Sequence, residues 1–139
     1  MIRAMVRSGE VGGSKICIQC QVEKPVHLFR EVDRRRDGYD PTCKDCRHLN
    51  QRLKRMSLTI EKFEALLLEQ GFRCSGCGDP LPEEWSGINV DHDHNCCPGK
   101  KSCGKCIRGL LHNWCNVILG LAKDDPRRLR SLADYIERT

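Results

Sequence analysis

Eleven cysteines in a chain of 139 residues limit this sequence more than any other feature, and eight of them fall into CxxC pairs: Cys17/Cys20, Cys43/Cys46, Cys74/Cys77 and Cys103/Cys106. This spacing lets two thiolates meet one zinc ion. An odd count fits poorly with a closed disulfide framework. No apolar leader follows Met1, and no segment approaches the roughly 20 apolar residues of a membrane helix, so the chain reads as cytoplasmic, where thiols stay reduced. Aromatic residues make up 5% and charged residues 31% of the sequence. Apolar burial alone would leave such a chain marginal, and metal sites are the expected supplement.

Charge is unevenly spread. Residues 1 to 57 hold 13 Lys and Arg against 7 Asp and Glu, whereas residues 58 to 139 hold 11 against 12. The basic excess is densest at Arg34, Arg35 and Arg36 and again at Arg52, Lys54 and Arg55, which makes an anionic polymer the natural partner. A solvated charged face is the plainer alternative.

The organisation follows from breakers and periodicity. Residues 1 to 14 end in "GEVGGS" and read as a disordered tail. Residues 15 to 56 form an N-terminal module, in which Cys17, Cys20, Cys43 and Cys46 hold one zinc and "RHLNQRLKRM" continues as a basic helix. Thr59 caps a helix over 60 to 70, with Ile60, Phe63, Leu66 and Leu67 on one face and Gly71 ending it. "GINVDH" (87 to 92) and "CIRGLL" (106 to 111) read as strands around a cysteine-rich insert. "HNWCNVILGL" (112 to 121) reads as a helix presenting Trp114, Val117, Ile118 and Leu121 on one face. Asp125 and Pro126 open a last helix with Leu129, Leu132, Ala133 and Ile136 at helical spacing, expected as a packing element. Residues 57 to 139 thus make a second, small α+β, zinc-stabilised domain.

The knuckle at Cys74 and Cys77 lacks two ligands, and His112 with Cys115 offers them from the first turn of a helix. The plainer alternative leaves His112 as a cap and Cys115 as a buried thiol. The remaining cysteines are Cys96, Cys97, Cys103 and Cys106, a further set of four that could brace the insert with a third zinc. Adjacent cysteines demand a sharp turn there, and His94 could replace one of them. Asp91, His92, His94 and Asn116 stand beside this sulfur framework. A carboxylate and an amide oxygen suit Mg²⁺ or Mn²⁺, and a neighbouring imidazole suits a general base. Strand-end polar residues without chemistry are the bland reading of Asp91 and His92.

"CSGCG", "VDHDH", "RGLLHNWCN" and "LGLAKDDPRRLRSLADYI" together closely resemble the phage recombination endonuclease VII family, within the HNH or ββα-metal nucleases. The resemblance spans about residues 57 to 137. It implies a ββα-metal (His-Me finger) core, to which this chain adds a zinc-ribbon-like N-terminal module and flanking helices. It implies a metal-dependent DNA endonuclease or nickase acting on branched DNA or in phage genome processing. Asp91 and Asn116 would hold a catalytic Mg²⁺ or Mn²⁺, His92 would be the general base, and His94 would be a further active-site histidine. Two or three structural zinc ions per chain are expected.

Two departures from the family pattern stand out. His112 replaces a common cysteine, and residues 95 to 106 enlarge a short turn, bringing Lys100, Lys101 and Lys105 toward DNA phosphates, with Arg108 beyond them as a further expected DNA contact. The long C-terminal dimerisation region of junction-resolving members is lacking, so a monomer rather than a stable dimer is expected. Partners would be DNA and phage packaging or recombination proteins, with no membrane. The competing readings are a non-catalytic zinc-finger DNA-binding protein and a zinc-organised interaction adaptor.

Overall fold

A computed structural model of the chain describes residues 13–138. The tail expected over residues 1 to 14 lies outside the described residues up to position 12, and the first strand already includes Ser14. Two compact units divide the chain, Met1–Gln51 and Arg52–Thr139.

Two short hairpins make up most of the first unit. β1 (Ser14–Ile16) pairs antiparallel with β2 (Glu23–Pro25), and β3 (Phe29–Glu31) pairs antiparallel with β4 (Tyr39–Cys43). β3 and β4 are joined by a turn in which Gly38 takes a φ of +77° and the amide of Val32 donates to its carbonyl. The core is small: Cys17, Phe29, Tyr39, Cys43 and Cys46, with Val26 against them. Three of those six are thiols, so this unit leans on sulfur where a larger one would lean on aliphatic side chains. Helix α1 (Lys44–Arg55) starts two residues before Cys46, earlier than the sequence suggests, so the second knuckle is built into its first turn.

The second unit contains α2 (Ile60–Glu69), the hairpin β5 (Ile88–His92) and β6 (Ile107–His112), α3 (Asn113–Leu121) and α4 (Pro126–Glu137). Both expected caps form, with Thr59 Oγ1 accepting from the amide of Lys62 and Asp125 from the amide of Arg127. Phe63 and Leu67 are buried from α2, while Ile60 and Leu66 are only partly covered. Ile88, Val90, Leu110 and Leu111 bury the hairpin side, and Trp85 meets the Phe63 ring at 5.6 Å between centroids.

β5 and β6 run antiparallel from Ile88↔His112 to Asp91↔Gly109, after which His92 faces Ile107. Arg108 is therefore the extra residue of a bulge, a device that re-aims a side chain beside a site. Gly109, opposite Asp91, leaves room for the knuckle, because a Cβ there would lie 2.7 Å from Ser75 Oγ.

The last two helices depart from expectation. Trp114, Val117, Ile118 and Leu121 are exposed on α3, and the covered positions are Cys115, Asn116, Leu119 and Ala122. The helix is turned by the ligand at Cys115, so its sequence-level apolar face points outward. On α4, Leu129 is half-buried, while Leu132 at 57% and Tyr135 at 61% stand in solvent and Ala133 and Ile136 are also exposed. It is not the packing element its periodicity suggests. Among the described residues no helix is long and apolar enough to cross a membrane.

This packing implies a contrast. Phe63→Ala removes a fully covered ring and should lower the unfolding free energy of the zinc-loaded protein by about 3–5 kcal/mol. Leu132→Ala should change it by less than about 0.5 kcal/mol. Urea midpoints of the two variants measure both.

Candidate metal centres and nuclease cleft

Three groups of four ligands form: Cys17, Cys20, Cys43 and Cys46; Cys74, Cys77, His112 and Cys115; and Cys96, Cys97, Cys103 and Cys106. In each, one donor atom per residue lies within 4.8 Å of the others. Sulfurs 2.3 Å from a zinc at tetrahedral angles stand about 3.8 Å apart, against about 2.05 Å in a disulfide. The third group shows 3.9 Å for Cys96 to Cys97, Cys96 to Cys103 and Cys103 to Cys106. The sulfurs thus sit at metal-site spacing, and all three groups could hold zinc.

Local backbone geometry prepares each sulfur. The amides of Gly76 and His112 both lie 3.4 Å from Cys74 Sγ, and that of Cys43 lies 3.3 Å from Cys17 Sγ. Burial opposes ionisation of Cys74, but hydrogen bonds from the amides of Cys77, His112 and Gly76 outweigh it and bring the thiol down to about 6. Cys115 is pushed up to about 12 by burial and by its hydrogen bonds with Cys77 and Cys74. Cys74 ionises readily while Cys115 resists, which is the electrostatic situation a divalent cation relieves. His112 Nε2 lies 2.8 Å from the Pro80 carbonyl, an acceptor, so the proton is on Nε2 and Nδ1 faces Cys77 Sγ at 3.3 Å. That outer contact orients the ring as a ligand.

The insert between β5 and β6 is ordered by its own contacts. The amides of Cys96 and Cys97 both donate to the Asp93 carbonyl, which makes the sharp turn that adjacent cysteine ligands require. Ser102 N donates to Arg55 O, and Ser57 Oγ donates to Ser102 O at 2.9 Å. Gly104 seals this docking, since a Cβ there would stand 2.5 Å from Ser57 O, at a φ of +81°. His94 does not belong to the cysteine group and pairs with Asp124 instead.

Beside the insert lies a cleft of about 220 Å³ whose walls include Arg55, His92, His94, Lys100 and Asn116. Three of the four residues expected in an active site meet here. His92 Nε2 lies 3.0 Å from the Cys97 carbonyl, so Nε2 carries the proton and Nδ1 of the neutral ring is left as a base. The His92 and His94 rings are 4.5 Å apart between centroids.

Asp91, the fourth, is buried and is not one of the residues lining this cleft. Val90 and His92 on either side of it do line the cleft, while both its oxygens accept from Arg108, at 2.7 Å from Nε and 3.0 Å from Nη2. Arg108 Nη2 continues to Asp124 Oδ1 at 3.2 Å, and Asp124 Oδ2 meets His94 Nδ1 at 2.7 Å. Hydrogen bonding to Asp91, ahead of that to Asp124, raises the pKa of Arg108 further, so it is a permanent cation. Sequence reasoning missed Asp124. Two aspartates precede Pro126 and only one can cap the helix, which was the available signal.

The basic residues divide by role. Arg52 lines the cleft wall, but its guanidinium donates to the carbonyls of Ile88 and Ser86, and burial lowers its pKa. Arg108 is bound to two carboxylates. Arg55 and Lys100 line the cleft, Lys54, Lys101 and Lys105 are exposed, and Arg34, Arg35 and Arg36 are exposed on the β3–β4 turn of the first unit.

The second unit thus pairs a ligand group able to hold zinc, spanning the Cys74/Cys77 knuckle, the end of β6 and the start of α3, with a histidine-lined cleft that carries Arg55 and Lys100. The model of the recombination endonuclease VII family matches residues 48–138, and the chain belongs to that family. It is accordingly a nuclease, a phosphodiester hydrolase with DNA as substrate. No curated protein and no solved structure matches the chain.

Purified protein should carry close to three zinc ions per chain by elemental analysis. Cys96→Ser with Cys103→Ser should lower that by one, and His112→Ala should loosen the ion at the second group. Acidification should release zinc, because protons compete for thiolate and imidazole ligands as pH falls.

Proposed function

We propose that the chain is a metal-dependent DNA endonuclease or nickase of the HNH type, acting on branched DNA, with His92 as the general base. The observation that carries this reading is His92 in the cleft with Nε2 committed to the Cys97 carbonyl and Nδ1 left to take a proton. An imidazole whose Nε2–H is held by a carbonyl presents Nδ1 as the nitrogen that can take a proton from water.

In kind, one carboxylate and one amide oxygen suit a hard divalent cation. Asp91 and Asn116 would hold Mg²⁺ or Mn²⁺. Each Asp91 oxygen keeps a second lone pair beyond its bond to Arg108. When bound, the ion would supply charge neutralisation at the phosphoryl oxygens and the leaving oxygen. Asn116 orients the phosphodiester within the cleft, His94 stands beside it as a further active-site histidine, Arg55 and Lys100 neutralise neighbouring phosphates, and His92 removes the proton of the attacking water. The four-cysteine module over residues 15 to 56 adds sequence-independent phosphate contacts through Arg34, Arg35 and Arg36.

One observation favours a second reading. Arg108 covers both oxygens of Asp91, which would suit a DNA-binding protein without catalysis. Supercoiled plasmid separates the two. With Mg²⁺ or Mn²⁺ the zinc-loaded protein should nick it, and His92→Ala should be slower by about 10²–10⁴-fold with retained zinc and DNA affinity. Binding without nicking would establish the second reading.

A further inference from the structure

We infer that Asp124 is a positioning residue of this cleft, holding His94 with Nδ1 as the protonated nitrogen so that Nε2 is left as an acceptor for water in the cleft. The inference rests on the nuclease reading above and deepens it. Its basis is a four-member chain of contacts, Asp91–Arg108–Asp124–His94, whose members come from β5, the β6 bulge, the turn after α3 and the start of the cysteine-rich insert.

Asp124 holds its position against its local preferences. Lys123 and Asp124 are successive non-glycine residues in the left-handed region, with φ of 56° and 53°. Side-chain-bearing residues there are held at a cost, and helix ends usually use glycine for it. The turn also places a carboxylate at the C-terminal end of α3, where the helix dipole disfavours negative charge. The backbone nevertheless closes tightly, with Lys123 N on Gly120 O and Asp124 N on Leu119 O. Strain of this sort persists where the surroundings over-determine it, and it concentrates at functional sites.

The contacts of its side chain supply the over-determination. One oxygen accepts from Arg108 and the other from His94, and the side chain is only 20% exposed. A carboxylate can only accept here, so the His94 proton in the contact belongs to Nδ1. His94 lines the cleft beside His92. Fixing its tautomer and ring plane leaves Nε2 as an acceptor, able to take a hydrogen bond from water at the reacting centre. Arg108 ties the same carboxylate to Asp91, so the residue expected at the metal and the second histidine of the cleft are registered through one side chain.

The test uses the full-length, zinc-loaded protein. Long-range ¹H–¹⁵N correlation spectra, taken without DNA, should show wild-type His94 protonated on Nδ1, and Asp124→Asn should mix or reverse the tautomers. In plasmid nicking, Asp124→Asn should lower kcat about tenfold to a hundredfold with KM nearly unchanged. His94→Ala should show a similar loss, and the double variant should be no slower than His94→Ala alone. Zinc content and circular dichroism confirm that each variant is folded. Unchanged tautomers, or a full additional loss in the His94→Ala background, would overturn the inference, the latter because the effect would then run through Arg108 or the fold. A wild type that cuts nothing overturns the nuclease reading, and with it the positioning role. A wild type that cuts alongside an equally active Asp124→Asn overturns this inference alone.

Discussion

The four donors Cys74, Cys77, His112 and Cys115 hold together what the apolar core of the second unit cannot. α3 turns Trp114, Val117, Ile118 and Leu121 outward, so burial of its apolar face is not what fastens it to the hairpin. Its attachment runs through Cys115 in its first turn and His112 at the residue before it. Asn116 follows Cys115 directly, and its presence in the cleft is thus a consequence of metal-type ligand geometry. A tetrahedral ligand set fixes distances to a few tenths of an ångström, which a small apolar interface of exposed side chains would not do. The trade is dependence on reducing conditions and on ligand ionisation.

The cysteine-rich insert extends the same logic to the cleft itself. A long excursion between two strands is usually mobile. Here its sulfurs cluster, Gly104 lets its backbone meet Ser57, and Ser102 bonds to the carbonyl of Arg55. The carbonyl of Cys97, itself one of the clustered residues, then accepts from His92. The insert is therefore part of the wall that sets the tautomer of a central histidine. Lys100 enters the cleft on the same segment.

Much of this was legible in the sequence because metal ligands and helix caps are local signals. CxxC spacing, the Thr59 and Asp125 caps and the alternation in "INVDH" each depend on a few neighbouring residues, and the three ligand groups form as the spacing suggests. Helix faces were less legible. Periodicity shows which residues of α3 and α4 share a side, but whether a partner covers that side is a tertiary fact. The fate of individual arginines was hidden for a similar reason. Arg52 and Arg108 look like phosphate ligands in a basic sequence, yet carbonyls and carboxylates from distant segments take their donors. The bulge that aims Arg108 at Asp91 leaves no trace in composition, since it is one residue of mismatch between strands 15 positions apart.

The pairing of Asp91 with Arg108 shapes the electrostatics of everything nearby. A buried carboxylate left alone would be costly, and Arg108 compensates it with two charge-assisted bonds. That compensation weakens what Asp91 can offer to a second cation, because the guanidinium repels it and occupies half of the lone pairs. Asp124 offsets this by drawing the same guanidinium toward itself, and the charges of Asp91, Arg108 and Asp124 sum to −1. The ion proposed beside Asp91 would meet two carboxylates against this one guanidinium. The same arithmetic explains why Arg108 rather than lysine suits the bulge: only a planar fork can bond Asp91 through two nitrogens and still reach Asp124.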